Sequence, residues 1–332
     1  MILLVEDDKG EILAIIPFME MYISLLGLRL LKKIQFIGTR LASYSGFIIL
    51  PGKERLVLNK VLDYLKKNYK RWDMISLREI PEESKSLQIL PGAVNYTVLT
   101  QRNSCPYIEL PESMDLFVSS LSYKMRKNLR YYTNRLKRDG HVVEFKMHDN
   151  RIPTRNAIHA FADLHRNEWK DLKEVWLMMS FYDDRFNRFF SDVAQKFAEN
   201  DWLKLCFLYV NGELVSSLCA FTYDGAVYYE FGAYDRKWSK YAVSTILINN
   251  LIEDAIKNRE KTFDFMRGYE EYKFKWNTKI RRNFDVVIFK HSLIFIIYRT
   301  TYKIFNTLKN KLLRNKSLRK ILIKFRRRHL IW

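Results

Sequence analysis

The alternation of apolar and polar residues predicts strands and helices in both halves of the chain. Apolar runs at residues 1–5 and 11–16 flank Asp7-Asp8-Lys9-Gly10, which predicts a β-hairpin whose second strand ends at Pro17. Apolar residues at helical spacing between positions 56 and 69 predict an amphipathic helix. Strands are also predicted over residues 73–77 and 96–100, and an extended, Pro-punctuated join between the halves over 105–111.

The second half begins with two predicted helices, with Ser113 and Ser122 as N-caps, and the second helix ends at Gly140. Asn211-Gly212 and Asp224-Gly225 mark tight turns between three strands. Those strands cover residues 203–210, 214–223 and 226–234. The other predicted elements are strand 142–146, helices 154–169, 182–199 and 241–258, and strands 262–266 and 284–289. The order predicts an α/β fold class with mixed sheets.

Composition supports a folded protein of more than one domain. The 332 residues are 48% hydrophobic and include only 11 Gly and 7 Pro, which excludes disordered, collagen-like and low-complexity chains. Cys105, Cys206 and Cys219 lack the spacing of a zinc site or a disulfide framework, so we expect no metal and a reducing compartment. Acidic residues near the start are unlike a signal peptide, and we expect a cytoplasmic protein.

The positive charge is concentrated at the C-terminus. The chain has 57 basic and 37 acidic residues, a net charge of +20, and residues 291–332 contain twelve Lys and Arg but no Asp or Glu. Apolar residues recur there at helical spacing, which predicts a basic amphipathic helix. Such a helix can lie on an anionic membrane, pack on the body with a solvated basic face, or bind nucleic-acid phosphates. We favour peripheral contact with the inner membrane face.

The densest candidate chemistry lies in residues 263–276, where a strand ends in carboxylates, a glycine, aromatic residues and lysines. Strand ends at one edge of a sheet commonly meet a ligand. Asp264 and Glu270 are candidate general bases, because a carboxyl group among aromatic residues loses solvation and its pKa rises. The alternative is a solvated loop with ordinary ion pairs.

Other signals are weaker. His165 and Trp169 lie one turn apart on a predicted helix, where a packed histidine is commoner than a metal ligand. The basic residues between 124 and 138 form one helix face that can bind phosphates or simply be solvated. The G-x-S-x-G, Walker A and H-E-x-x-H patterns are missing from the sequence, which argues against hydrolase, P-loop and zincin chemistry.

Two motifs resemble the CelD-like acyltransferases of the GNAT superfamily, which are often encoded with exopolysaccharide or cellulose genes. Residues 121–130 and 135–140, with Leu121-Ser122-x-Lys124-x-Arg126 at their start, resemble that family's first helix. Residues 264–276 resemble its closing D-F-x-x-G-x-E-x-Y-K-x-x-W motif. Leu164-His165-Arg166 with Trp169, and Tyr229 with Tyr234-Asp235, also match the family.

The resemblance implies two GNAT-like lobes, as in the Fem-type aminoacyltransferases. The first lobe would cover residues 1–110, and the second, which would bind acyl-CoA, residues 111–290. The basic tail would cover residues 291–332. Family members usually have a helix before the opening strand pair, so we expect an incomplete N-terminal lobe or a misassigned start. Their pyrophosphate loop usually contains glycine, which residues 240–244 lack. The residues implied to bind the cofactor are Ala233, Tyr234, Asp235, Lys240, Tyr241, Ala242, Val243 and Ser244.

The sequence therefore predicts an acyltransferase that moves an acyl group, an acetyl group in the first instance, from acyl-CoA to an amine or hydroxyl of an envelope sugar or lipid-linked acceptor. Asp264 or Glu270 would accept the proton. Amides at positions 233–235 would polarise the thioester carbonyl. The residues implied to bind the acceptor are Arg126, His165, Trp169, Tyr229, Tyr272, Lys273 and Trp276. The alternatives are a Fem-like transferase that uses aminoacyl-tRNA and a catalytically silent scaffold in glycan assembly.

Overall fold

The structure is a computed structural model that describes residues 1–25, 28–39, 41–148, 154–170 and 180–314. The described chain divides into two compact units, residues 1–105 with 281–314, and residues 106–280. The strands are β1 Ile2–Glu6, β2 Ile12–Leu25, β3 Leu28–Phe36, β4 Ile48–Ile49, β5 Met74–Pro81, β6 Thr97–Glu109, β7 Val143–Met147, β8 Leu203–Val210, β9 Glu213–Tyr223, β10 Ala226–Tyr234, β11 Thr262–Asp264 and β12 Lys279–Phe289. The helices are α1 Glu54–Lys67, α2 Lys85–Ala93, α3 Met114–Ser120, α4 Tyr123–Arg138, α5 Thr154–Trp169, α6 Asp184–Glu199, α7 Val243–Lys257 and α8 Ser292–Arg314. The predicted mixed α/β fold is confirmed.

In the first unit, the predicted β1–β2 hairpin is confirmed, but β2 does not end at Pro17. β2 pairs with β1 up to Pro17 and with β3 from Phe18 onward. Proline lacks the N–H that a ladder needs, and here it lies at the residue where the strand changes partner. The Pro17 carbonyl still accepts a hydrogen bond from Ile37 N–H at 2.9 Å, so the strand continues.

Three elements of this unit were missed from the sequence: β3, the two-residue strand β4 and α2. β3 follows β2 within one long apolar stretch, which hid the boundary between them, and it pairs in parallel with β5. α2 begins after Ser84, whose side chain accepts the Ser86 N–H, and it includes Pro91. Turn-forming residues just before α2 favoured a loop there. The last predicted strand, β12, begins five residues early and pairs with β5.

Helices cover both faces of the first unit's sheet. α1 packs against Phe18, Ile34 and Ile288 on one face. On the other face, Ile294, Phe295 and Tyr298 of α8 pack around Met74, Val287 and Phe289. The start of the basic tail is therefore helical, as predicted, and its first turns are part of this unit. The predicted tail beyond residue 314 lies outside the described residues.

The second unit follows the predicted element order closely. Ser113 and Ser122 accept the N–H groups of Leu116 and Met125, which confirms both predicted N-caps. Its strands are ordered β6, β11, β10, β9, β8, β7. One buried cluster includes α3, α4 and α7, and another includes α5 and α6. Neighbouring residues of β8 alternate between the two clusters, so the helices cover opposite faces of the sheet.

The parallel pair β10 and β11 positions the candidate site. The two strands are paired only from Ala226 to Tyr228 and from Thr262 to Asp264. β11 then ends, while β10 continues to Tyr234 on its other partner, β9. Beyond Tyr228, no strand among the described residues pairs with the edge of β10 that faced β11.

Candidate functional site

A β-bulge in β10 gives the open edge its shape. Tyr229 pairs with Ala220 of β9 and Phe231 with Cys219, so Glu230 is an extra residue without a partner on β9. The bulge reverses the side chains: Tyr229 belongs to the core under α4 and α7, whereas Phe231 packs in the core under α5 and α6. Glu230 is thereby set at the point where β11 ends.

Glu230 is a half-buried carboxyl group surrounded by charges from the segment after β11. Burial raises the pKa of Glu230 from 4.5 to about 7. The positive charges of Arg267 and Lys273 lower this pKa, and the negative charge of Asp264 raises it further. Near neutral pH this carboxyl group can therefore both accept and release a proton. The sequence analysis missed Glu230, although a lone acidic residue within Tyr228-Tyr229-Glu230-Phe231 was a signal that one position of the strand is not ordinary core.

The two predicted bases lie in different settings. Asp264 is fully buried, and its Oδ1 accepts the Met266 N–H at 2.7 Å, which holds Met266 at a φ of 58°. Glu270 is half-exposed, and its Oε2 lies 2.9 Å from the Lys273 Nζ. Gly268 has a φ of 134°, which side chains other than glycine rarely adopt, and a Cβ there would also displace the Glu270 carboxylate. Glu270 is therefore the more accessible of the two carboxylates, and Asp264 fixes the turn.

Lys273, Tyr272 and Tyr229 lie together near Glu270. Lys273 is buried, and its Nζ also donates to the Arg267 carbonyl at 3.1 Å. The Tyr229 and Tyr272 hydroxyls hydrogen-bond each other, and burial raises both of their pKa values, so both stay protonated. A Cβ at Gly232 would overlap the Tyr229 hydroxyl, so the glycine makes room for this pair.

A second missed carboxyl group, Glu168, reaches the end of β10 from α5. Its Oε2 accepts the backbone N–H of Tyr234 at 3.1 Å, and burial raises its pKa to about 7. Glu168 and Glu270 are both close enough to Tyr229 to raise the pKa of that hydroxyl. The signal for Glu168 was its position between His165 and Trp169, one turn apart.

His165 and Trp169 present polar atoms without partners beside Glu168. The His165 Nδ1 and Trp169 Nε1 are buried and have no hydrogen-bond partner within the described ranges. Burial lowers the pKa of His165 to about 4, so its ring is neutral at physiological pH. Their rings stack with centroids 6.2 Å apart.

Residues 233–244 form the other end of the site. Asp235 N–H donates to the Val215 carbonyl, and N–H groups alternate along an antiparallel strand, so the predicted amides of Ala233 and Asp235 both point to β9. The side chain of Asp235 caps the turn Arg236–Tyr241 by accepting the Lys237 N–H. Ala242, at a φ of 51°, redirects the chain into α7, which begins at Val243 with Ser244 in its first turn. The first N–H groups of α7 lack partners inside the helix, as at any helix N-terminus.

Lys240 and Tyr241 differ in exposure. Lys240 is exposed, with its Nζ 4.8 Å from the centroid of the Tyr241 ring. Tyr241 is buried, and its hydroxyl hydrogen-bonds Asp139 at 3.0 Å and His141 at 3.1 Å. Lys240 is therefore available to a ligand, whereas Tyr241 anchors the turn.

Two predicted acceptor-binding residues serve the scaffold. The Arg126 guanidinium donates hydrogen bonds to two carbonyl groups at the end of α3, that of Ser119 at 2.9 Å and that of Leu121 at 2.6 Å. Trp276 is 1% exposed and stacks between Phe117 and Phe265. The structure thus groups Tyr229, Tyr272 and Lys273 near Glu270, stacks His165 on Trp169, and packs Trp276 in the core.

Among the described residues, no group of three or more His, Cys, Asp or Glu side chains is arranged to hold a metal ion. None of the helices within the described ranges combines the length and apolar character needed to cross a membrane.

Comparison with solved structures reveals the same fold in several proteins. FemX aligns with a TM-score of 0.60 and 12% identity over 90% of this chain and 89% of FemX. L-PGS from Bacillus licheniformis aligns with a TM-score of 0.57 and 12% identity over 90% and 88% of the two chains. A C-terminal domain from Agrobacterium fabrum, assigned to a lysylphosphatidylglycerol synthetase, aligns with a TM-score of 0.55 and 8% identity over 90% and 88%.

Sequence comparison finds a match for part of the chain. No curated protein sequence matches the chain significantly. A family model described as an acetyltransferase (GNAT) domain matches residues 123–274, which run from the start of α4 through the Glu270–Lys273 pair. The narrower likeness to CelD-like proteins stays a prediction. Residues 123–274 therefore match the model of a GNAT acetyltransferase domain, and the fold of the chain is similar to those of FemX and L-PGS.

Proposed function

We propose that the protein transfers an acyl group from acyl-CoA to an amine or hydroxyl of a cell-envelope acceptor. The observation that carries this proposal is the open edge of β10. The Asp235 N–H points to β9, and N–H groups alternate along an antiparallel strand, so the N–H of Tyr234 points to the opposite side. That side faces the space left where β11 ends.

An open strand edge suits a donor whose arm is built from amides. The pantetheine arm of CoA can add to the edge of β10 as an extra strand would, which directs the thioester carbonyl toward Tyr234. The first amides of α7 and the Lys240 ammonium lie where the arm's pyrophosphate would end. Ala233, Tyr234, Asp235 and residues 240–244 are the donor side in this proposal.

Carboxyl groups on the other side would accept the acceptor's proton. The acceptor nitrogen or oxygen attacks the thioester carbon, the carbon–sulfur bond breaks, and the CoA thiolate leaves. Glu270 is our first candidate for the base, because it is half-exposed and next to Tyr229 and Tyr272. Glu230, with a pKa of about 7, is the second. Asp264 acts through the turn that it holds.

The acceptor side would be formed by His165, Trp169, Tyr229, Tyr272 and Lys273. Aromatic faces beside hydroxyl, carboxyl and ammonium groups suit a sugar or a polar lipid headgroup. The likeness to a lysylphosphatidylglycerol synthetase domain, a name that implies a lipid product, supports an envelope acceptor for this chain as well.

Helix α8 would bring the protein to that acceptor. Leu293, Ile297 and Ile304 are exposed and share one face of α8, and Arg299 and Lys303 are exposed on another side of the same helix. An exposed apolar stripe on a helix that also carries basic residues fits the surface of an anionic bilayer. In this proposal the protein works at the cytoplasmic face of the inner membrane.

Aminoacyl transfer is the second candidate. It is supported by the likeness to FemX and L-PGS, which extends over 90% of the chain and not only over the matched domain. The donor would then be an aminoacyl-tRNA, for which the basic helix face around residues 124–138 offers phosphate contacts.

A donor assay separates these candidates. We expect the full chain to release thiol from acetyl-CoA when envelope extract supplies the acceptor, and to leave aminoacyl-tRNA intact. Release of free tRNA with no release of thiol would instead support aminoacyl transfer. Inertness toward both donors would contradict both enzymes and favour a silent scaffold.

A further inference from the structure

The hydrogen bond from Tyr234 to Glu168 uses the N–H group that the proposed reaction needs. Glu168 lies in the last turn of α5, and its Oε2 is 3.1 Å from the Tyr234 nitrogen. The Tyr234 N–H points away from β9, toward the open edge. In the structure, a side-chain carboxyl group is therefore bound where a donor's carbonyl oxygen would otherwise accept a hydrogen bond.

The surroundings of Glu168 make this bond easy to exchange. The Glu168 carboxyl group lies in a largely apolar setting, where Arg236, in the turn after β10, favours its charged form. Tyr229 faces it from β10, and His165 shares its helix. The buried His165 Nδ1 and Trp169 Nε1, which have no partner in the described part of the chain, lie within one turn of it and can receive a displaced carboxyl group.

We propose that Glu168 competes with the acyl carbonyl of the donor for the Tyr234 N–H, so that an acylated carrier binds only by displacing this side chain. The inference rests on the proposed function, because it assumes acyl-CoA along the open edge of β10. No bond is made or broken; one hydrogen-bond acceptor replaces another. Free CoA has a thiol in place of the thioester, so its binding should not depend on Glu168.

Competition of this kind depends on pH. A charged carboxylate accepts a hydrogen bond more strongly than a neutral carboxyl group does, and the pKa of Glu168 is about 7. A carbonyl ligand should therefore bind more weakly as the pH rises from 6 to 8. The other groups that face Glu168 keep their charge over this range: His165 is neutral, Tyr229 is protonated and Arg236 is charged.

The test is calorimetric titration of the full chain with CoA and with acetonyl-CoA, a stable ketone analogue of the thioester. At pH 8 we expect Glu168→Ala to bind acetonyl-CoA about tenfold more tightly than the wild type, the weight of one hydrogen bond to a charged acceptor, and to bind CoA unchanged. Glu168→Gln retains a neutral hydrogen-bond acceptor. Its affinity for acetonyl-CoA should therefore lie between those of the wild type and Glu168→Ala, and it should not depend on pH. Asp163→Ala removes an exposed acid from the same helix and should resemble the wild type.

Several results would overturn the inference. Equal changes for both ligands in Glu168→Ala would indicate a structural or general electrostatic role. A difference between the ligands that keeps its pH dependence in Glu168→Gln would assign the effect to another group. If CoA binds but the ratio of acetonyl-CoA to CoA affinity is the same in the wild type and in Glu168→Ala, this inference alone is contradicted. If the wild type binds neither ligand, the proposed donor is contradicted as well.

Discussion

At the scale of the residue, the site depends on side chains whose position is set by one neighbour. Gly232 leaves room for the Tyr229 hydroxyl, Gly268 leaves room for the Glu270 carboxylate, and Asp264 holds the Met266 amide. The sequence identified Asp264 and Glu270 because a predicted strand ends in carboxylates there, and it identified Tyr229 and Tyr272 through the family resemblance. It missed Glu230 and Glu168, because a bulge and a contact between a helix and a strand end position them, and their signals in the sequence were only a lone acid within a strand and a place between His165 and Trp169.

The first prediction concerns Gly232. Gly232→Ala should abolish most of the activity, because the new methyl group overlaps the Tyr229 hydroxyl and displaces the Tyr229–Tyr272 pair. Tyr229→Phe removes the overlapping oxygen, so the double variant should fold more stably than Gly232→Ala alone. Thermal unfolding of the two single variants and the double variant gives the coupling. Strict additivity of the two effects would contradict the predicted overlap.

The second prediction concerns the base. Glu270→Gln and Glu230→Gln preserve shape and remove basicity, and we expect at least one to lower kcat by roughly 10²–10⁴-fold, the usual contribution of a general base. Asp264→Asn should instead lower thermal stability, because its carboxylate holds the buried turn at Met266. Acyl transfer rates and melting curves of all three variants check both statements. Full activity in both glutamine variants would exclude these carboxyl groups as the base.

The third prediction follows from the raised pKa of Glu230. Between pH 4.5 and about pH 7, Glu230 keeps its proton in the folded protein but has released it in the unfolded chain. Glu230 therefore contributes stability that is full below 4.5 and is lost as the pH rises through 7. Urea unfolding of wild type and Glu230→Gln at pH 5 and pH 8 measures the difference. We expect the variant to lose less stability over this range, and an equal loss would show that burial does not raise this pKa.

At the scale of the element, strong local signals were sufficient. The caps of α3 and α4 and the Asn-Gly and Asp-Gly turns between β8, β9 and β10 are set by neighbouring residues, and the predictions there are confirmed. The continuation of β2 through Pro17 depends on its pairing with β3, and β3 also pairs with the distant β5, so the apolar and polar pattern alone was misleading there. The bulge in β10 likewise depends on pairing between strands, and it determines which side chains lie beside the open edge of β10.

The fourth prediction tests the donor end of β10 and α7. Lys240→Ala should raise the KM for acyl-CoA and leave kcat nearly unchanged, because a phosphate contact binds ground state and transition state alike. Lys237, exposed in the same turn, provides a matched control variant, Lys237→Ala. Steady-state kinetics of both variants settle the comparison. An unchanged KM in Lys240→Ala would move the phosphate site elsewhere.

At the scale of the whole molecule, the two units repeat one arrangement. In each, an antiparallel pair is followed by a helix and then by a strand parallel to the second of the pair: β2, β3, α1 and β5, then β9, β10, α7 and β11. The sequence lacks a visible repeat, so only the mixture of elements in both halves could be predicted. The first turns of α8 complete the first unit, which changes what removing the tail would do.

The fifth prediction separates the two roles of α8. A chain ending at Lys290 should melt at a lower temperature, because Phe295 and Tyr298 no longer pack on Phe289. Replacing exposed Leu293 and Ile297 by Gln should leave the melting temperature unchanged and weaken binding to anionic vesicles. Equal vesicle binding by that variant and the wild type would contradict the membrane role of α8.

The most direct test of the central claim is transfer of isotope-labelled acetyl from acetyl-CoA. The purified full chain is incubated with envelope extract, and mass spectrometry follows the label in sugars and lipids. We predict one class of labelled acceptor, lost in the Glu230→Gln/Glu270→Gln double variant and present with Lys237→Ala. If the label stays on CoA while the protein transfers an amino acid from aminoacyl-tRNA to an acceptor in the same extract, acyl-CoA-dependent transfer is contradicted.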